Sequence, residues 1–546
     1  MNTKDSTFGR LIQFFHLERK EITAIYFYAI SSGLIQLSLP LGVQSIIGFV
    51  QGASMITSIY VLIFLIVLGI LLVGLLQINQ MKIIEYIQQK VFVNFAIAYA
   101  EKIPRLDLKE IDNHYLPEKI NRFFETQIIQ KGLSKMLLDI PIASIQILFG
   151  LILLSLYHPL FIIFSFILVA AIALVFRLSA SKGLETSIAE SNFKYSVVAW
   201  FEEMGRVIKS FKYSQGTDLN LIKTDESLHR YVQARTAHFK VLLFQYRSLV
   251  FFKVSITALM LILGTYLLIK QKINIGQFVA AEIVILAVIN SLEKLIISLE
   301  NIYDVITGLK KLYAILDLAD ENDGSIDFKE KELKIDINNM SFGYAENSNV
   351  FQNISLTILP NTVTCITGPE NSGKSTLLKL LTGSYREFKG SIQFNDLPIQ
   401  RFTLQSLRSN TGLILSEQEI FHGTLYDNIV LGKNHISSDK IMLVAKSLSI
   451  DNMMSAFPQS FETILDPIGK KLPSSTILKI LLLRALVHDP ILLILEEPWR
   501  GLDEASKITL QNFLLNAAKR KTIIISTEDL DFAKKSHVHI DLSRKI

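Results

Sequence analysis

Between residues 22 and 81 the chain contains no Asp, Glu, Lys or Arg. A helix needs about 20 apolar residues to cross a bilayer, so a charge-free stretch of this length is too long for one crossing and suits two. Pro40, Gly42, Gly52 and Ser54 offer turn residues for a hairpin between them. The stretch does not read as a cleaved leader, because it far exceeds the roughly 7 to 15 residues of a signal-peptide core and no small-residue cleavage site follows. Four further spans fit 137–156, 160–176, 249–269 and 276–298. The amino-terminal part is therefore expected to be an all-α bundle of six spans in the lipid bilayer, over residues 1–318. A composition that is 50% hydrophobic agrees with lipid as its solvent.

Basic residues orient the bundle. Lys4, Arg10, Arg19 and Lys20 precede the first span, and the segment 82–135 is rich in Lys and Arg. The first two hairpin tips have none and the third has only Lys270 and Lys272, so the positive-inside rule puts both termini and both long connections in the cytoplasm of a multi-pass inner-membrane protein. Those connections, 82–135 and 177–247, have helical periodicity and read as spans continuing beyond the membrane, with plain loops as the alternative. Each holds a turn-prone patch, 112–118 and 213–220, where such helices fold back toward a cytoplasmic domain. Glu282 falls inside the sixth span, where a carboxylate costs at least ~2.5 kcal/mol. It is expected either to face a cavity or partner or to reach the outer headgroups.

The acidic, turn-rich "ADENDGSIDF" marks a linker at 319–332, and from residue 333 short β-branched runs replace the long apolar ones. A net charge of +5 without a compact basic stripe excludes nucleic acid as a partner. The single cysteine, Cys365, excludes an internal disulfide and a cysteine metal cluster, and its setting TVTCITG reads as a buried strand.

In 333–546 a strand leads into Gly368, Pro369, Glu370, Asn371, Ser372, Gly373, Lys374 and Ser375, then Thr376 and an amphipathic helix. Glycines let backbone N–H groups wrap a polyphosphate, Lys374 supplies a cation to its terminal oxygens, and Ser375 offers a hydroxyl to Mg²⁺. That spacing, strand before and helix after, points to ATP with Mg²⁺ in an α/β P-loop domain. Further on, "LPSSTILKILLLRALVHDPILLILEEPWRGLD" is apolar enough to suggest another span. Its charges and Pro490 break it into a helix near 477–487 and a strand near 491–495, too short for a membrane and suited to a strand buried on both faces. At the strand's end Glu496 suits a metal-associated carboxylate, and Glu497 suits the group that orients an attacking water.

Six spans, an acidic linker and this P-loop domain resemble an ABC exporter half-transporter over essentially the whole chain, most like peptide and type I protein-secretion exporters. The resemblance implies that Tyr344 of "MSFGY" stacks on adenine, that Asp503 is the D-loop aspartate, and that 421–429, "FHGTLYDNI", follows the Q-loop. It implies a homodimer or a heterodimer with another half-transporter, because one chain's P-loop faces the other's signature motif. A periplasmic adaptor is a further implied partner.

Four positions depart from the family. Where LSGGQ is usual the chain has Leu472, Pro473, Ser474, Ser475 and Thr476: Pro473 removes an N–H and the serines add side chains where close backbone approach is expected. Their hydroxyls are expected to cap the helix, with donation to phosphate as the alternative. Glu496 replaces the Walker B aspartate, Ser416 stands at the Q-loop glutamine with Gln418 nearby, and Glu528 stands at the switch histidine. A carboxylate about 4 Å from a phosphate charge adds repulsion of roughly 4 kcal/mol at an effective dielectric of 20, or about a thousandfold in rate. Two functions follow: an ATP-driven exporter subunit that hydrolyses ATP slowly and moves a substrate, peptide or protein among the options, out of the cell; or a weakly hydrolysing or non-hydrolysing ATP-binding partner in a heteromeric transporter.

Overall fold

The structure is a computed structural model that describes residues 9, 10, 12, 18–52, 56–112, 115–214, 217–344, 349–416, 420–433 and 435–543. It divides into two compact units, Met1–Arg105 with His114–Leu318, and Leu106–Asn113 with Ala319–Ile546.

In the first unit six helices among the described residues are long and apolar enough to cross a membrane: Arg19–Gln51, Thr57–Arg105, Leu116–Tyr157, Leu160–Arg206, Leu219–Ile269 and Ile275–Leu316. The fifth runs 51 residues, about 75 Å at 1.5 Å per residue, so the long connections are helices and not loops. Pro40 and Gly42 do not turn the chain. They lie inside the helix Ser38–Gln51, where Pro40 sits in the first turn and forfeits no intrahelical bond. A Cβ on Gly42 would come within 2.4 Å of Ile66, so this glycine serves helix contact. The chain turns at Gly52, and Ser54 is outside the described residues.

Packing separates two kinds of span. The third and sixth bury Leu133, Leu154, Val288, Leu292 and Leu312, whereas the second presents Phe64 (66% exposed) and Leu71 (59%) outward. Apolar surface of that extent on a membrane-length helix suits contact with lipid or with another helix. Polar groups inside the spans pair with one another: the Gln146 amide donates to Gln36 at 2.6 Å, and the Ser291 hydroxyl donates to Gln146 at 2.7 Å. Ser32, Gln80 and Glu282 are exceptions: the Ser32 hydroxyl, Gln80 Oε1 and Glu282 Oε2 are buried with no partner among the described residues.

The second unit holds two main sheets. An antiparallel sheet runs β2 (Phe351–Ile358), β1 (Ile335–Phe342), β4 (Lys389–Phe394), β5 (Leu397–Pro398); a parallel one runs β11 (Val538–Asp541), β3 (Val363–Thr367), β10 (Thr522–Ser526), β9 (Leu492–Glu496), β6 (Thr411–Ile414). The alternation of a sheet covered on both faces is explicit. Cys365, Leu493, Leu495, Ile523 and Ile525 face one apolar core, while Ile366, Leu492, Ile494 and Ile524 face the other. Burial pushes the Cys365 thiol up to about 12, so it is inert packing.

Two segments flanking this fold are built into it. In the acidic stretch Glu321 pairs with Arg408 at 2.6 Å, Asp323 accepts the Leu404 N–H at 2.7 Å, and Phe328 is buried. The stretch thus lies along the domain. The segment 106–113, whose chain neighbours belong to the helical unit, pairs Leu106 with Asp320 and packs Leu108 on the apolar core.

Candidate nucleotide site

The loop between β3 and α1 (Lys374–Leu381) is shaped by residues that only glycine can replace. Gly373 has φ +90° and caps α1, and a Cβ there would lie 2.5 Å from the Phe351 ring. No side chain caps this helix, so its first N–H groups stay open. Lys374 reaches back over the loop and donates to the carbonyls of Gly368 at 2.6 Å and Pro369 at 2.9 Å. Glu370 and Asn371 form the exposed tip, and Asn371 has φ +62°. The Ser372 hydroxyl is buried with no partner among the described residues. An unmet donor beside open amides and a cation is an anion cradle.

Strand order brings the other residues to this loop. β10 lies between β3 and β9, with Ser526 opposite both Ile366 and Glu496, so the chain leaving all three strands converges at one sheet edge. There the Ser375 hydroxyl donates to Glu496 Oε1, and the Ser416 N–H donates to its other oxygen at 2.8 Å. The extra methylene of Glu496 therefore does not carry its carboxylate away from Ser375. Two oxygen donors side by side fit a hard divalent cation, and Ser375 and Glu496 would hold Mg²⁺ there.

Glu497 sits one residue on, with φ +42°. It accepts the Glu528 N–H at 2.7 Å and the Thr527 hydroxyl at 3.1 Å. Burial raises its carboxyl above the usual glutamate value, which those two donors offset only in part. Glu528 thus meets Glu497 through its backbone, while its side chain is exposed. Thr527 was invisible to motif reading, although a hydroxyl directly after the apolar run TIIIS was a signal for it.

Tyr344 is exposed, shares a hydrogen bond of 3.0 Å with Thr376, and meets Phe342 and Tyr385 edge to face at 5.3 and 5.4 Å. Tyr385 in turn donates to Asp112 at 2.6 Å, and Lys109 pairs with Glu387 at 2.6 Å. A cavity of about 460 Å³ lies among Tyr344, Tyr385, Lys379, Asp107 and Lys109. The sequence marked Asp112 as the start of a turn-prone patch, but the packing of Asp107, Lys109 and Asp112 near Tyr344 was not legible.

The altered helix start differs from expectation. α2 (Ser474–Leu486) begins three residues earlier than its pattern suggested, and its cap residue is Pro473. Ser474 and Ser475 make no capping bond: they occupy the first two helical positions, past the cap where a hydroxyl could turn back on the first turn. Ser474 is exposed, and Ser475 and Thr476 are half-buried. Asp503 caps the helix Glu504–Ala517 through Ser506, at 2.9 Å to its N–H and 2.7 Å to its hydroxyl, which holds its carboxyl below the usual range. Gln418 is outside the described residues.

A glycine cradle, a lysine and paired carboxylates at the carboxyl edge of a parallel sheet define a P-loop nucleotide-binding domain, here joined to six membrane-length helices. Residues 351–500 match the ABC transporter family model. The chain is 28% identical to a probable ABC transporter ATP-binding/permease protein of Haemophilus influenzae over 49% of each chain. It is 27% identical to an ATP-dependent lipid A-core flippase of Legionella pneumophila over 48% of this chain and 45% of that one. The match thus spans about half the length of these curated relatives. A bacterial Atm1-family ABC exporter solved with ATP bound shares the fold at a TM-score of 0.82, covering 97% of this chain and 94% of that one at 18% identity. Residues 351–500 are thus an ABC-type nucleotide-binding region, and the chain as a whole has the fold of an ABC exporter half, a helical unit with six membrane-length helices followed by an α/β nucleotide-binding unit.

Proposed function

We propose that the protein is one half of a dimeric exporter that binds MgATP and uses it to move a substrate out across the cytoplasmic membrane, with both termini in the cytoplasm. The observation that carries this reading is the cradle itself: an unmet Ser372 hydroxyl, the open amides of α1 and the Lys374 ammonium around one loop. In this reading residues 368–376 hold the phosphates and Tyr344 stacks on the base. Mg²⁺ on Ser375 and Glu496 offsets charge on the phosphate oxygens. Glu497, held by Thr527 and the Glu528 N–H, orients the attacking water. The domains in this reading are 1–318, 319–332 and 333–546. A peptide or protein is the cargo class that fits the family resemblance, and a periplasmic adaptor would belong with it.

The start of α2 favours a second reading, a slow half that pairs with a more active one. Pro473 offers no N–H, and two side chains stand where close approach of a partner's nucleotide calls for glycine. ATPase activity of the purified chain alone tests the choice. Activity that disappears in Glu497→Gln and in Lys374→Ala supports the homodimeric exporter. Equal background in all three leaves the second reading standing and overturns the first.

A further inference from the structure

At the other end of the parallel sheet, where β6 and β9 begin with Thr411 opposite Leu492, lies a second polar cavity. From Thr411 to Ser416 the chain advances five residues, about 16 Å at the rise of a strand, so this cavity is separate from the P-loop. Its volume is about 130 Å³. Arg408, Lys433, Arg484 and His488 contribute to its wall, and no Asp or Glu does.

Two of these cations are already engaged. Arg408 pairs with Glu321, and the Arg484 Nε donates to the Asn428 carbonyl at 2.8 Å. The other two are only partly satisfied by the protein, His488 through the backbone of Thr411 and Arg484. Lys433 has no carboxylate within ion-pair distance among the described residues, and the His488 Nε2 is buried without a hydrogen-bond partner. Burial lowers Lys433 and Arg484 from their usual values and pushes His488 down to about 4, with Lys433 adding to the effect on His488. Lys433 and Arg484 thus face this partly enclosed space with no carboxylate among its lining residues, beside a neutral His488 imidazole whose Nε2 can donate, and buried charge of one sign is costly unless something of the opposite sign enters.

We propose that this cavity binds a small tetrahedral oxyanion from solution, phosphate or sulfate, which accepts from Lys433 and His488 while Arg408 and Arg484 line the wall. The size agrees: a cavity measured this way needs about 10 to 15 Å³ to hold one water, so about 130 Å³ admits a small tetrahedral ion. The site joins the segment after the helix Leu425–Val430 to the far end of α2, the helix whose other end begins at Ser474. An ion there clamps α2 to the sheet from the side remote from ATP.

Equilibrium dialysis of radiolabelled orthophosphate against the full chain tests this, in a Lys374→Ala background that weakens binding at the P-loop. One saturable phosphate per chain is expected, displaced by sulfate and not by acetate. Lys433→Gln weakens it at least about tenfold, as loss of a charge-assisted hydrogen bond predicts, and Lys433→Arg retains it within about threefold. MgATP binding by Lys433→Gln with Lys374 intact shows that this variant is folded. Absence of saturable binding, binding unchanged in Lys433→Gln, or displacement by acetate as effective as by sulfate overturns the proposal. The last result would instead indicate a carboxylate as occupant.

Discussion

The two ends of the parallel sheet carry opposite chemistry on one scaffold. At the carboxyl end Glu496 and Glu497 are each held by neighbouring donors, Ser375 and Ser416 for one, Thr527 and the Glu528 N–H for the other. At the amino end the charged wall groups are all basic, Lys433 has no carboxylate partner among the described residues, and the buried His488 Nε2 has no hydrogen-bond partner. The first is preorganised: its carboxylates are fixed before any nucleotide arrives, so binding need not order them. The second is incomplete until a counter-charge comes from outside. Half-buried polar groups at the two ends thus differ in whether the chain itself finishes their network.

The sharpest way to break this contrast is at the carboxyl end. Glu497→Gln is expected to lower ATP turnover by about 10² to 10⁴ while MgATP still binds, and Lys374→Ala to weaken nucleotide binding about ten- to a hundredfold. A phosphate-release assay and a fluorescent-nucleotide titration measure the two. Loss of both properties in both variants would show that the end acts as one inseparable network. Next, Glu528→His is expected to raise turnover, with about a thousandfold as the ceiling set by the removed repulsion. No change would mean that the exposed Glu528 side chain never meets the phosphate. Gly373→Ala should cost about 1 to 3 kcal/mol of domain stability through its φ of +90° and the Phe351 overlap, read as a fall in Tm.

The smallest effect belongs to the amino end. His488 is held neutral by burial, at about 4 against about 6.5 when unfolded, so the unfolded chain takes up the extra proton first. Stability tied to this group is intact above about pH 6.5 and lost as pH falls toward 4. His488→Gln should flatten that part of a Tm-versus-pH curve, and an unaltered curve would place the titration elsewhere.

Much of this was legible because it is local in sequence. The charge-free stretch at 22–81, the glycine-flanked Lys374 and the apolar strand before Glu496 each carry their signal within a few residues. The sequence misled where a residue type has two structural uses. Pro40 and Gly42 read as a turn but serve the first turn and the close packing of one helix. Ser474 and Ser475 read as caps but fall just past the cap position. What stayed hidden was assembled from distant positions. Thr527 reaches Glu497 only through strand pairing, and the basic cavity joins residues 408, 433, 484 and 488, each ordinary in its own neighbourhood.

The eight residues 106–113 are cut from the middle of a helical connection, yet they are hydrogen-bonded into the nucleotide-binding unit through Asp107, Lys109 and Asp112. Covalent bonds join them to the helical unit on both sides. The Tyr385–Asp112 hydrogen bond therefore holds a stretch of main chain that is continuous with the helical unit. The same anchoring makes the segment a poor place to cut: a protease nick there would break one covalent path between the two units and leave the one at residues 318 and 319.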